Sequence, residues 1–178
     1  ISGIHLGTHR HFIRALAYVK KAAALTNAEL GLIPAPIGEA IVAACDTVAS
    51  GDVDHAFPVD VIQGGAGTST NMNANEVIAN LALEALGHPR GSYDVVDPIG
   101  HVNKCQSTND VYPTAVRLAL VFALEDLLER LGLTPHAHKR VSRFSGGMKR
   151  RVNIIASPLD QRELILLDQR GTSESLRL

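Results

Sequence analysis

Gln63-Gly64-Gly65-Ala66-Gly67-Thr68-Ser69-Thr70-Asn71-Met72-Asn73 is a run of small and hydroxylated residues that leads into a helix-forming segment. His101-Val102-Asn103-Lys104-Cys105-Gln106-Ser107-Thr108-Asn109-Asp110 repeats the device further along the chain. Glycines let backbone approach a ligand without side chains in the way. Hydroxyls beside the free N–H groups of a helix start suit a carboxylate or a phosphate. They also suit plain N-capping, for which Ser, Thr, Asn and Asp are the preferred residues. On the residues alone, both readings stand.

Working outward, the spacing of Phe12, Ile13, Leu16, Val19, Ala23 and Leu30 predicts an amphipathic helix that ends at Gly31 and Pro34. A second helix is expected over 37–48, closed by Ser50-Gly51. Phe57-Pro58-Val59-Asp60-Val61 alternates like a short strand or an extended lead into the loop beyond. Helices are expected over 75–86, stopped by Gly87, and over 110–131, with Pro113 in the first turn. Residues 91–100 read as a loop. A helix over 147–156 and a short buried strand over 164–167 complete the expectation.

At 178 residues and 46% hydrophobic content, the chain is long and apolar enough to bury a core of one domain, or of two small ones. No stretch reads as a membrane span and no secretion signal opens the chain. The start lacks Met, so the chain is expected to begin inside a longer reading frame. Two cysteines, Cys45 and Cys105, make no disulfide framework, which points to a reducing cytoplasm. Residues 1–123 hold 7 basic and 11 acidic residues, and 124–178 hold 10 basic and 7 acidic, a sign change that marks a change of module. Lys149-Arg150-Arg151 has no interleaved aromatics and reads as a solvated helix face, so no nucleic-acid partner is expected.

Residues 59–80 and 101–114 closely resemble the N-terminal region of aspartate ammonia-lyases and class II fumarases. Lys104-Cys105-Gln106-Ser107-Thr108-Asn109-Asp110 leans toward the ammonia-lyase branch, and the similarity runs over about 1–123. The resemblance implies a mostly helical N-terminal domain with short strands, and elimination of ammonia from L-aspartate to give fumarate. It implies no cofactor and no metal, a small dicarboxylate as ligand, and a homo-oligomer whose sites combine residues of three subunits of a tetramer. It further implies that Thr68, Ser107, Thr108 and Asn109 bind the substrate carboxylates. Donors aimed at a carboxylate where charge develops stabilise the transition state more than the ground state. The family's catalytic serine, on a Gly-Ser-Ser loop, has no counterpart in this sequence, so no catalytic residue is assigned. Asp97-Pro98-Ile99-Gly100 departs from the family pattern and puts a secondary carboxylate site in doubt.

From Leu127 to Leu133 onward the chain resembles the second half of an ATP-binding cassette subunit of an exporter. Phe144-Ser145-Gly146-Gly147-Met148 looks like that family's signature, and Leu164-Ile165-Leu166-Leu167-Asp168 like its magnesium-holding strand. Ser145, Gly146, Gly147 and Asp168 are then the nucleotide-binding residues, with ATP and Mg as cofactors and a small α/β fragment over 124–178. The phosphate-cradling Gly-x-x-x-x-Gly-Lys-Ser/Thr loop is missing, and Gln169 stands where a catalytic Glu belongs. Three outcomes are open at this point: a lyase piece inactive alone, a cassette fragment, or a non-functional chimera joined near 124–131.

The remaining signals carry less. His5, His9 and His11, and His136 and His138, lack the ligand number of a metal site. Cys45 reads as a core residue, and Glu76 and Glu84 as solvated or interfacial carboxylates.

Overall fold

The structure, a computed structural model, describes residues 2–150. The chain divides at Ala119/Leu120 into two compact units, a boundary that falls inside the last long helix. Four long helices form the frame: α1 (Arg10–Glu29), α2 (Ala35–Ser50), α3 (Thr68–Ala85) and α4 (Thr108–Arg130).

α1 and α2 are joined by a short loop as a helical hairpin, and α2 packs on α3. The buried face of α1 is Phe12, Ile13, Leu16, Lys20, Ala24 and Asn27, a stripe at i, i+3/i+4 spacing. It is not quite the expected one: Leu30 is exposed, Val19 and Ala23 are half-buried, and two polar residues take inner positions. α2 presents Ile41, Ala44, Cys45 and Val48 to the core and ends at Gly51 in the left-handed region. Gly38 of α2 approaches α1 so closely that a Cβ there would lie 2.7 Å from Ala28 Cβ.

Residues 57–61 pair with the N-terminal segment as an extended lead, not as a strand. Leu6 N donates to Val59 O at 2.8 Å and Val61 N to Ile4 O at 3.0 Å, around one antiparallel bridge between His5 and Asp60. Pro58 has no N–H to extend the ladder, and Asp60 turns the chain by accepting from Ile62 N at 2.8 Å. The same carboxylate accepts from Ser2 Oγ at 2.7 Å and from the Ser2 and Gly3 amides at 2.9 and 3.0 Å. The Ser2 hydroxyl first, then the Ile62 amide, and then the Gly3 and Ser2 amides hold the carboxyl at about 2, below its ordinary range.

α3 begins at Thr68, a full two turns before the expected start, because tertiary partners replace weak helix propensity in its first turn. Gln63 supplies the cap: its Oε1 accepts from Thr70 N at 3.0 Å and its Nε2 donates to Thr70 Oγ1 at 2.7 Å. Gly67 enters the helix at φ 93°, with the Tyr112 ring of α4 packed where a side chain would stand. Tyr112 in turn meets Phe12 edge-on at 5.3 Å between centroids. The expected loop 91–100 closes in a π-helical turn, Pro98–Val102, capped by Asp97 Oδ1 on Ile99 N at 2.8 Å. α4 also begins two residues early, so Pro113 lies beyond its first turn and leaves the Asn109 carbonyl without its i+4 donor.

In the second unit, α4 closes with Gly132 in the left-handed region and Leu133 N donating to Leu128 O at 2.8 Å. Leu133 and Phe144 are buried, and Leu120, Val121 and Leu124 are exposed. Short 3-10 turns cover Thr134–His136 and Val141–Arg143, and a helix starts at 146. Among the described residues there is no β-strand, so the short strands expected in the first unit, and the described part (124–150) of the expected α/β fragment, are corrected to helices and turns. The expected strand over 164–167 lies outside the described residues. No helix among the described residues is long and apolar enough to cross a membrane.

Gly67→Ala should destabilise the fold by roughly 2–4 kcal/mol, since it combines left-handed strain with overpacking against Tyr112. Gly146→Ala, which adds a Cβ in open space, should change nothing measurable in the same urea titration. Equal midpoints for the two variants would refute the packing described for α3 on α4.

Candidate functional site

The two glycine- and hydroxyl-rich segments end at the first turns of α3 and α4, and one side chain ties those turns together. Asn71, fully buried on α3, donates from Nδ2 to Thr108 Oγ1 at 3.1 Å and to Asn103 Oδ1 at 3.1 Å. Asn103 Oδ1 also accepts from Lys20 Nζ at 2.8 Å, and Asn103 Nδ2 donates to Gln106 O at 3.0 Å. Lys20 on α1, Asn71 on α3, the 103–106 loop and Thr108 on α4 therefore share one buried polar network. Asn71 Oδ1 is buried without a hydrogen-bond partner.

Donor direction fixes the chemistry on offer. Because Asn71 Nδ2 uses the Thr108 oxygen as an acceptor, the Thr108 hydroxyl proton is left to point elsewhere. Ser107 caps α4: its Oγ accepts from Asn109 N at 3.2 Å, and its carbonyl takes Asp110 N and Val111 N, each at 3.0 Å. Thr68 heads α3 and donates its hydroxyl to Gly65 O at 2.8 Å. Thr68, Ser107 and Asn109 are exposed and Thr108 is half-buried, so all four are reachable from solvent or at its edge. The hydroxyls of Thr68, Ser107 and Thr108 thus sit at the N-termini of α3 and α4, whose positive dipole ends are linked through Asn71 and Thr108.

The loop before α4 is held under strain. Cys105 is exposed and sits at φ 58°, a left-handed conformation rare outside glycine. Asn27 Nδ2 of α1 fastens the preceding Lys104 carbonyl at 2.9 Å, and Gln106 Nε2 bonds Val102 O at 2.8 Å. His101 Nδ1 accepts from Asp97 N at 2.9 Å, which leaves the ring hydrogen to Nε2. Asp97 is thus occupied in capping its own turn.

The four residues singled out from the sequence (Thr68, Ser107, Thr108 and Asn109) fall at these two adjoining helix starts. Gln63, Asn71 and Asn103 lay inside the quoted segments without an assigned role, and Lys20 was not singled out at all. One signal was available for Lys20: it lies four residues from both Leu16 and Ala24, on the apolar stripe of α1. Burial pushes the Lys20 ammonium down from its ordinary 10.5 to about 7, with the nearby Cys45 opposing. Burial first, and then Asp46, pushes the Cys45 thiol up to about 12. Glu76 is exposed, and Glu84 pairs with Arg90 at 2.5 Å.

The nucleotide site is corrected. Ser145 Oγ accepts from Met148 N at 3.3 Å, so the Ser145-Gly146-Gly147 run performs the local task of capping a helix that starts at 146. Asp168 lies outside the described residues. The described residues supply neither a strand to carry a phosphate site nor a group of three or more His, Cys, Asp or Glu side chains able to hold a metal, and the ATP and Mg assignment is withdrawn.

Comparison with known proteins bears on the same question. A family model described as Lyase matches residues 4–136, running through the 124–131 segment where a join with cassette sequence was expected. The aspartate ammonia-lyase of Escherichia coli K12 is 54% identical over 121 residues, which are 67% of this chain and 25% of that protein. The aspartate ammonia-lyase of Pseudomonas aeruginosa PAO1 is 53% identical over 131 residues, 74% of this chain and 28% of that protein. The crystal structure of a fumarate lyase:delta crystallin from Brucella melitensis in native form matches with a TM-score of 0.72 and 55% identity, over 74% of this chain and 31% of that one. The class II fumarase of Schistosoma mansoni matches with a TM-score of 0.59 and 38% identity, over 71% and 28%. The chain spans between a quarter and a third of the length of these proteins.

The buried ammonium makes stability depend on pH in a definite sense. Between about 7 and 10.5 the unfolded chain holds a proton on Lys20 that the folded chain has lost, so rising pH favours the fold. Above its ordinary 9.0 Cys45 acts oppositely, because the unfolded thiol ionises while the folded one stays protonated to about 12. Melting temperature should climb from pH 7 to pH 9 and flatten beyond, and Lys20→Met should abolish the climb. A climb that persists in the variant would assign it to another group.

Proposed function

The chain belongs to the aspartase/fumarase lyase family, and on that footing we propose that it is the substrate-holding N-terminal part of an aspartate ammonia-lyase. Its ligand is a small dicarboxylate, L-aspartate or fumarate. Thr68, Ser107, Thr108 and Asn109 hold the carboxylates from two adjoining helix starts. The observation that carries this reading is the Asn71 bridge to Thr108, which brings the two hydroxyl-bearing turns together and leaves the Thr108 proton to donate. The relatives named aspartate ammonia-lyase support the choice of substrate over malate.

In the elimination, a base removes the proton beside one carboxylate and negative charge moves onto its oxygens. Hydroxyl and backbone donors already aimed at those oxygens are worth most at that moment. The base itself is no residue of this sequence, so the chain by itself holds substrate without turning it over. Assembly into a homo-oligomer belongs to the same proposal and is supported by the exposed Leu120, Val121 and Leu124 of α4. So does a cytoplasmic setting, supported by two free thiols.

Succinate, an unreactive dicarboxylate, should bind the chain in a calorimetric titration. Thr108→Ala and Ser107→Ala should each weaken that binding about ten- to a hundredfold, the range for losing a hydrogen bond to a charged group. No fumarate should accumulate from L-aspartate with this chain alone. Unchanged succinate affinity in both variants would remove these residues from the site.

A further inference from the structure

Lys20 is the one charged residue in the buried stripe of α1, and none of its surface is exposed. Cys45 of α2 and Asn103 of the 103–106 loop lie against it, and the same Asn103 oxygen accepts from Asn71 of α3. Cys45 is the titratable group among these, and Asn71 and Asn103 are uncharged. Neighbouring charges are turned elsewhere, Lys21 to Asp46 at 2.6 Å, while His101 Nδ1 is held by Asp97 N. Lys20 has no carboxylate partner among the described residues. A buried cation without a counter-charge weakens a fold, and an apolar side chain of similar volume is commonly more stable in its place. Features that break the local rules of a fold in this way concentrate at functional sites.

The hydrogen bonds leading away from Lys20 show what it does. An ammonium donates and never accepts, so the Asn103 atom it meets at 2.8 Å is the carbonyl oxygen. That choice turns Asn103 Nδ2 to Gln106 O and gives Asn71 Nδ2 the same Oδ1 to donate to. The second hydrogen of Asn71 Nδ2 then lies on Thr108 Oγ1. Lys20 and the acceptor-only Gln106 carbonyl thus impose the same orientation on Asn103, and with it the sense of the bonds up to the Thr108 hydroxyl.

We propose that Lys20 is a positioning residue for the dicarboxylate site: its buried ammonium orients Asn103 and Asn71 so that Thr108 presents its hydroxyl proton to a bound carboxylate, and its charge adds to the attraction. The inference rests on the dicarboxylate reading of the site. Loss of the ammonium proton removes the charge and weakens the charge-assisted bond to Asn103, so anion affinity falls as pH rises through the titration of Lys20. The lowered proton affinity of Lys20 sets that fall near neutral pH.

The test uses the whole chain and succinate. Wild type should bind about tenfold more tightly at pH 6 than at pH 8.5, in line with a single charge acting at short range through protein. Lys20→Met should bind about tenfold more weakly at pH 6, with no pH dependence, although it melts at the same temperature or higher at that pH. Identical affinity and pH profile in the variant would overturn the proposal. A second arm needs neither ligand nor variant: the NMR signals of Lys20 Cε, the Asn71 and Asn103 side-chain amides and the Thr108 amide are followed from pH 5 to 9. A common midpoint supports the relay, and a Thr108 signal that ignores the titration of Lys20 overturns it. If wild type binds no succinate the dicarboxylate reading falls, and the common midpoint alone then decides whether Lys20 positions Thr108.

Discussion

The Asn71 amide is the joint on which the rest of the first unit turns. From one nitrogen it holds the Asn103 loop and the first residue of α4, while its own helix is entered through Gly67 against the Tyr112 ring. Polar bonding and packing thus converge on the same pair of helix starts. A buried amide is costly unless bonded, so this arrangement is specific: few other registers of α3 against α4 would satisfy Asn71 to the same extent. The hydrophobic stripe of α1 supplies bulk stability beneath it, and Lys20 supplies direction.

That division of labour explains why the site looks expensive. It holds a left-handed Cys105, a buried cation and an orphan amide oxygen within one network. Each feature works against stability, and together they place hydroxyls and N–H groups in fixed directions at two positive helix ends.

Helix placement was largely readable from the chain. The breaks at Gly31, Gly51, Gly87 and Gly132 stand where helices close, since a left-handed glycine is the least costly way to end one. The starts were harder. α3 begins in a Thr-Ser-Thr-Asn run that propensity assigns to a loop, because Gln63 and Asn103 satisfy it from a distance. The alternation over 57–61 matched a strand, but Pro58 and the Asp60 turn allow only an isolated bridge. The Ser145-Gly146-Gly147 motif was over-read: a short capping run is common to many helix starts and carries no ligand by itself.

The sequence by itself determined the family, the hydroxyl-bearing segments and the four residues proposed for the carboxylates, because these are local patterns of residue type and spacing. Only the tertiary structure decided that the first turns of α3 and α4 adjoin, that Gln63 caps α3, and that Lys20 is buried on Asn103 rather than in solvent. The reason is range. Capping and periodicity act over three or four residues, whereas the chain from Lys20 to Asn103, Asn71 and Thr108 joins positions far apart in sequence. Such bonds exist only once the helices have packed and water has been excluded from between them.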